Sequence, residues 1–201
     1  MTHPDTIATY QSVADEYRER HGDRSQIREL AEQFVDALEP VTRGDSAESP
    51  RVADVGCGPG WESATFADRG HEVVGVDLTP AFLRTATDRA PDAAFVRMDM
   101  RALGLAADAF DGLWACASFL HVPREDAPAT LREFRRVLRP GGAMLLSVAR
   151  GDGEKVGDSY DDDRRRFTLY RADRLRELAD DAGFSVESVS DGDWVQLLAR
   201  A

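Results

Sequence analysis

Lysine is all but missing from this chain of 201 residues: Lys155 is the only one, and every other basic side chain except the histidines is arginine. Basic residues total 25 against 37 acidic ones, for a net charge of −12. That charge disfavours polyanions unless a local patch overrides it, so a nucleic-acid acceptor is not expected. Aspartate in excess with almost no lysine suits a surface adapted to a salt-rich cytoplasm, a halophilic trait; the plainer reading is a merely acidic, base-biased composition. At molar salt, self-repulsion is screened within ~3 Å. The two cysteines, Cys57 and Cys116, follow no disulfide, metal or redox spacing, which fits a reducing cytoplasm. His3, His21, His71 and His121 are scattered, and no metal site is expected. No apolar run approaches the ~18 residues of a membrane span, and no leader segment is evident. What the chain does have is a 42% hydrophobic content and 16 glycines, the composition of one globular domain over residues 1–201.

Helical spacing runs from Thr6 to about Leu38, through Ile7, Tyr10, Val13 and Tyr17, then Ile27, Leu30, Phe34 and Leu38. Pro40 to Pro50 reads as a loop. From Arg51 strands and helices alternate. Strands are expected over Arg51–Val55, Glu72–Val76, Ala93–Met98, Phe110–Ala117 and Ala143–Ala149. Helices are expected after Gly60, over Pro80–Arg89 and over Glu125–Leu138, with Thr79 as N-cap before Pro80 and stops at Gly70 and Gly141. Such alternation builds a doubly wound, Rossmann-like parallel sheet covered on both faces. A helix over Ala172–Ala182 ends at Gly183. Phe184–Ser190 and Trp194–Ala199, joined by an Asp-Gly turn, then predict a hairpin that adds an antiparallel strand, for seven strands in all.

The stretch Val52-Ala53-Asp54-Val55-Gly56-Cys57-Gly58-Pro59-Gly60-Trp61-Glu62 carries the chemistry. A strand that ends in a glycine turn before a helix brings a nucleotide-like ligand against the helix N-terminus. A dinucleotide fingerprint wants its third glycine at position 61, which is Trp61. A triphosphate cradle wants Gly-Lys-Ser/Thr, which is absent, and no Lys or Arg in the turn balances a phosphate. Asp77, in Gly75-Val76-Asp77-Leu78-Thr79, closes the second strand where a carboxylate accepts both ribose hydroxyls. Asp99, in Phe95-Val96-Arg97-Met98-Asp99-Met100, ends the third strand, placed to meet an adenine amino group. Ribose and adenine without phosphate describe S-adenosylmethionine.

With these motifs in order, the chain resembles the class I S-adenosylmethionine-dependent methyltransferases, of the compact type 11/25-like kind. The fourth-strand motif Phe110–Val122 and the run Leu131–Val148, with its Gly-Gly turn, extend the likeness over nearly the whole chain. The resemblance implies that Asp54, Gly56, Cys57, Gly58 and Gly60 form the methionine-side turn. It implies that Asp77 binds the ribose, that Asp99 and Met100 meet the adenine, and that Leu78 packs on the ring. Ala117 would offer its backbone to the amino-acid portion. Residues 1–40 would form lid helices over a core of 51–201, with Tyr10 and Tyr17 near the sulfonium. Trp61 stands where the family commonly carries small or polar residues.

The reaction implied is methyl transfer to a small-molecule acceptor in the cytoplasm. An RNA-modifying methyltransferase, a nicotinamide-dependent oxidoreductase and a non-catalytic cofactor-binding protein stand as alternatives. His121, after the fourth strand, is a candidate general base, set against a packing role before Pro123. Trp61 and Phe119 are expected to pack, and Arg132, Arg135, Arg136 and Arg139 to form a solvated helix face. Residues 151–166, with Asp161-Asp162-Asp163 beside Arg164-Arg165-Arg166, form a long polar segment at the expected substrate rim.

Overall fold

The computed structural model describes residues 4–38 and 49–201; most of the loop expected over 40–50 lies outside them. The sheet forms as the alternation predicts. Strands β1 (Arg51–Val55), β2 (Glu72–Asp77), β3 (Ala94–Arg97), β4 (Phe110–Cys116), β5 (Leu138–Ala149), β8 (Ser185–Asp191) and β9 (Trp194–Arg200) stand in the order β3-β2-β1-β4-β5-β9-β8. The first five are parallel, and β9 pairs antiparallel with both β5 and β8. The strand order reverses between β1 and β4, so their C-terminal ends open a crevice at the switch point.

Helices cover both faces because each presents one apolar stripe. In α3 (Ser25–Leu38), Leu30, Ala31, Phe34, Ala37 and Leu38 are buried. Phe34 packs on Phe66 of α4 (Trp61–Asp68) and on Trp114, at centroid distances of 5.3 and 5.4 Å. Gly112 lets it in, since a Cβ there would lie 2.7 Å from the Phe34 ring. On the other face Leu131, Phe134 and Val137 of α6 (Ala127–Val137) join Leu175 and Leu178 of α7 (Ala172–Asp181).

Several local expectations change. The N-terminal helical stretch breaks into α1 (Pro4–Ser12), α2 (Ala14–His21) and α3, with Val13 at the first break. Helix α5 spans Pro80–Arg89 as expected, but Thr79 makes no side-chain cap. Gln11 of α1 supplies that acceptor instead, its Oε1 taking the Ala81 amide at 3.0 Å. Gly141 does not stop a helix; α6 ends at Val137 and β5 begins at Leu138, paired with Phe110. The arginine face is not simply solvated. Arg136 donates to the Leu103 and Leu105 carbonyls, 2.9 Å each, and Arg139 pairs with buried Asp111. Within the polar segment, β6 (Glu154–Val156) and β7 (Arg166–Thr168) form a small antiparallel ribbon that was not foreseen.

Candidate functional site

A cleft lies over the switch point, between the C-terminal strand ends and the N-terminal helices. Its lining unites Tyr10, Tyr17, Gly56, Gly58 and Asp77 with Leu78, Met100, Ala117 and His121. The space within it, open mouth included, is about 680 Å³. Among the described residues no Lys or Arg lines it. Thr6, Ile7, Val76, Thr79, Phe82, Met98, Ser118 and Val122 complete the wall and were not named as site residues from the sequence. Apolar spacing reads the same for a wall as for a core.

The glycines do different jobs. Gly56 has φ +76° and presses on Ser118, leaving no room for a Cβ. Gly58 has φ +53° and open space before it. Gly60 is not in the lining: a Cβ there would lie 2.8 Å from that of Ala86, so it lets α5 approach α4. Ala117, past β4, holds φ +52°, a conformation costly for a residue with a Cβ and concentrated at functional sites.

Asp77 is already at work in the turn. Its Oδ2 accepts the Gly58 amide at 3.0 Å and its Oδ1 the Thr79 amide at 2.7 Å. Burial pushes its carboxyl upward, and these bonds pull against that. Asp54 and Cys57 sit behind the cleft. Asp54 is 2% exposed, accepts the Ser63 hydroxyl at 2.5 Å and is pushed by burial to about 7. It clips β1 to α4. The Cys57 thiol is raised well above its usual value by burial, the opposite of an activated nucleophile. Asp99 is also outside the lining. Its carboxylate takes a bidentate contact from Arg101, Nε at 3.0 Å and a terminal nitrogen at 2.6 Å, and Arg101 reaches on to Asp126.

An aromatic cluster closes the top. Tyr10 packs on Tyr17, Phe82 and His121, and Tyr17 reaches Trp61 at 5.8 Å. Trp61 lies between the guanidinium groups of Arg24 and Arg89, 4.9 and 5.6 Å from its centroid. Phe119 is fully buried against Phe134 and Tyr170, a packing residue. His121 has a defined tautomer: its Nδ1 faces the Arg166 carbonyl at 2.7 Å, which can only accept, so Nδ1 carries the hydrogen. Nε2 then accepts the Tyr10 hydroxyl at 2.9 Å. Burial first, with the Arg165 cation adding to it, lowers the ring to about 4.

A methyltransferase-domain family model matches residues 52–142. A malonyl-[acyl-carrier protein] O-methyltransferase of Erwinia pyrifoliae is 30% identical over 187 residues, covering 90% of this chain and 67% of that protein. The chain belongs to the class I S-adenosylmethionine-dependent methyltransferases. The Serratia marcescens malonyl-[acyl-carrier protein] O-methyltransferase is 31% identical over 80% of this methyltransferase, which spans only 62% of that relative's length. In fold it is similar to the 1,6-didemethyltoxoflavin-N1-methyltransferase of Burkholderia thailandensis, solved with S-adenosylhomocysteine bound. The TM-score there is 0.78 at 21% identity, over 98% of this chain and 87% of that one.

The cofactor, S-adenosylmethionine, fits what the cleft offers. One carboxylate, Asp77, stands among apolar walls, and no described cation is present to seek a phosphate. A cationic sulfonium on an adenosine suits that donor set, and aromatic faces favour its charge. Among the described residues no cluster of histidine, cysteine and acidic side chains could hold a metal, and no helix is long and apolar enough to cross a membrane.

Proposed function

We propose that this methyltransferase methylates a small-molecule acceptor in the cytoplasm, with residues 1–201 acting as one catalytic domain. The observation that carries the reading is the cleft: phosphate-averse, floored by Asp77 and the glycine turn, and covered by α1, which the Arg166 amide holds through Thr6. The relatives are named for malonyl-[acyl-carrier protein] and 1,6-didemethyltoxoflavin acceptors, which favours a small group over RNA. The acidic surface argues the same way.

When bound, S-adenosylmethionine supplies an electrophilic methyl on sulfur. Asp77 accepts the ribose hydroxyls, and Leu78 and Met100 flank the adenine. Gly56, Gly58 and the strained Ala117 bring backbone to the methionine portion, while Asp54, Cys57 and Gly60 shape the turn from behind. Asp99, its carboxylate engaged by Arg101, would meet the adenine edge from beside the cleft. Tyr10 and Tyr17 face the sulfonium and keep water from it. His121, neutral at pH 7 and with its lone pair engaged by Tyr10, holds that ring in place. The base role considered for it would require that lone pair.

The test is a metabolite screen that follows S-adenosylhomocysteine release. Turnover with a small acceptor supports the reading; turnover with RNA alone, or cofactor binding with no turnover on any acceptor, counts against it.

A further inference from the structure

Residues 157–166 enclose an ion pair that cofactor binding leaves unexplained. The side chains of Asp163 and Arg165 are 1% and 6% exposed. Asp163 accepts Arg165 Nε at 2.9 Å on one oxygen and a terminal nitrogen at 2.6 Å on the other. The amides of Ser159 and Arg165 add two more bonds to it, each 3.1 Å. Gly157 lies against this carboxylate, and any side chain there would collide with it. A pair so buried returns little net stability, because desolvation consumes most of the attraction. Its placement says more. The guanidinium stands among the rings of Tyr160, Tyr10 and Phe167, at 4.5, 5.1 and 5.2 Å.

One terminal nitrogen of Arg165 reaches the Tyr10 hydroxyl at 3.4 Å. The flanking residues hold the same helix. The Arg166 amide donates to Thr6 Oγ1 at 3.0 Å and the Arg164 amide to Thr9 Oγ1 at 3.4 Å, both on α1. The Arg166 carbonyl fixes His121, which in turn takes the Tyr10 hydroxyl. Three consecutive residues thus tie α1, the turn after β4 and the 150–170 segment into one closed circuit above the cleft.

We propose that Arg165 is a positioning residue for methyl transfer: anchored by Asp163, it fixes α1 so that Tyr10 closes the cleft over bound cofactor. The inference rests on the reading of that cleft as the cofactor site. Arg165 acts through Tyr10 and touches neither reacting atom.

The experiment measures S-adenosylhomocysteine dissociation by stopped flow, together with ¹⁵N titration of the His121 ring. Asp163→Asn with Arg165→Met removes both charges at nearly constant volume. Release should quicken about tenfold, as it should in Tyr10→Phe. Because both act through one contact, combining the two sets of changes should add little further. His121 should titrate closer to its ordinary 6.5 as α1 loosens. Additive effects, or wild-type release from the folded neutral pair, overturn the proposal. If the neutral pair fails to fold, Arg165→Lys decides, since it keeps the charge but loses the planar contacts; wild-type release there overturns the proposal as well. Wild-type protein that binds no S-adenosylhomocysteine would refute the cofactor reading, a separate failure.

Discussion

Replacing Asp77 by asparagine separates two duties of one carboxylate. In the fold, its oxygens accept the Gly58 and Thr79 amides at 3.0 and 2.7 Å. Asparagine keeps one acceptor oxygen and turns an NH₂ toward the other amide. Leaving one such donor unsatisfied costs about 1–3 kcal/mol of stability. In the complex, the ribose hydroxyls lose a charged acceptor, at about 1.5–3 kcal/mol for each bond removed. A factor of ten in affinity corresponds to about 1.4 kcal/mol, so S-adenosylhomocysteine should bind at least about tenfold more weakly. Urea unfolding reads the first loss and titration calorimetry the second. A variant that is less stable yet binds with wild-type affinity would refute the ribose role and leave Asp77 as a strut of the turn.

The same calorimeter should show S-adenosylmethionine and S-adenosylhomocysteine binding while NADH gives no heat, because no described cation in the cleft meets a pyrophosphate; tight NADH binding would contradict this. His121 is held near 4, below its ordinary 6.5, so the fold favours the neutral ring. Its contribution to stability is whole above pH 6.5 and fades as pH falls toward 4. Urea midpoints in His121→Gln should lose part of that slope, and an identical slope would rule the contribution out. Asp111→Ala should cost about 3–5 kcal/mol by removing the buried carboxylate that takes both the Arg139 guanidinium and the Arg51 amide, read by thermal unfolding; a change under 1 kcal/mol, the level of an exposed pair, would contradict it. If the aspartate-rich surface is a salt adaptation, melting temperature should climb from dilute buffer to roughly molar KCl, with a flat curve favouring base bias.

The alternation of β-like and helical runs was legible because period and punctuation are local: Pro80 and Arg89 bound α5 where expected. Asp77, Gly56 and Gly58 come together in the cleft lining, since their spacing from strand ends is set by the motif itself. Partnership was not. Nothing near Thr79 in sequence says that Gln11 would cap its helix, and Arg101, two residues past Asp99, does not announce that it turns back onto that carboxylate. The run Asp161–Arg166 reads as uniformly polar, yet the side chains of its third and fifth residues are buried while their neighbours face water. Leu138 and Arg139 continue the spacing of α6, but pairing of Leu138 with Phe110 and capture of Arg139 by Asp111 turn them into strand. At Thr79, Leu138 and Arg139 a distant contact outweighs the local pattern.

The bridge between Arg150 and Tyr170 brings together the two ends of the excursion that carries the β6–β7 ribbon. Just below it, Ala149 pairs with Trp194, so the sheet is sealed before the excursion begins. Everything from 151 to 169 therefore leaves and rejoins the chain at one stitch, and its other ties run to α1 and to the turn after β4 rather than to the strands of the main sheet. Closing a loop grows dearer only with the logarithm of its length, about 0.6 kcal/mol per doubling. A lineage could lengthen, trim or exchange this appendage, and with it the grip on α1, while the sheet and its glycine turn stay as they are. Diversification of substrate would then proceed by grafting at one stitch, with the selection pressure falling on α1 and the turn after β4 rather than on the sheet.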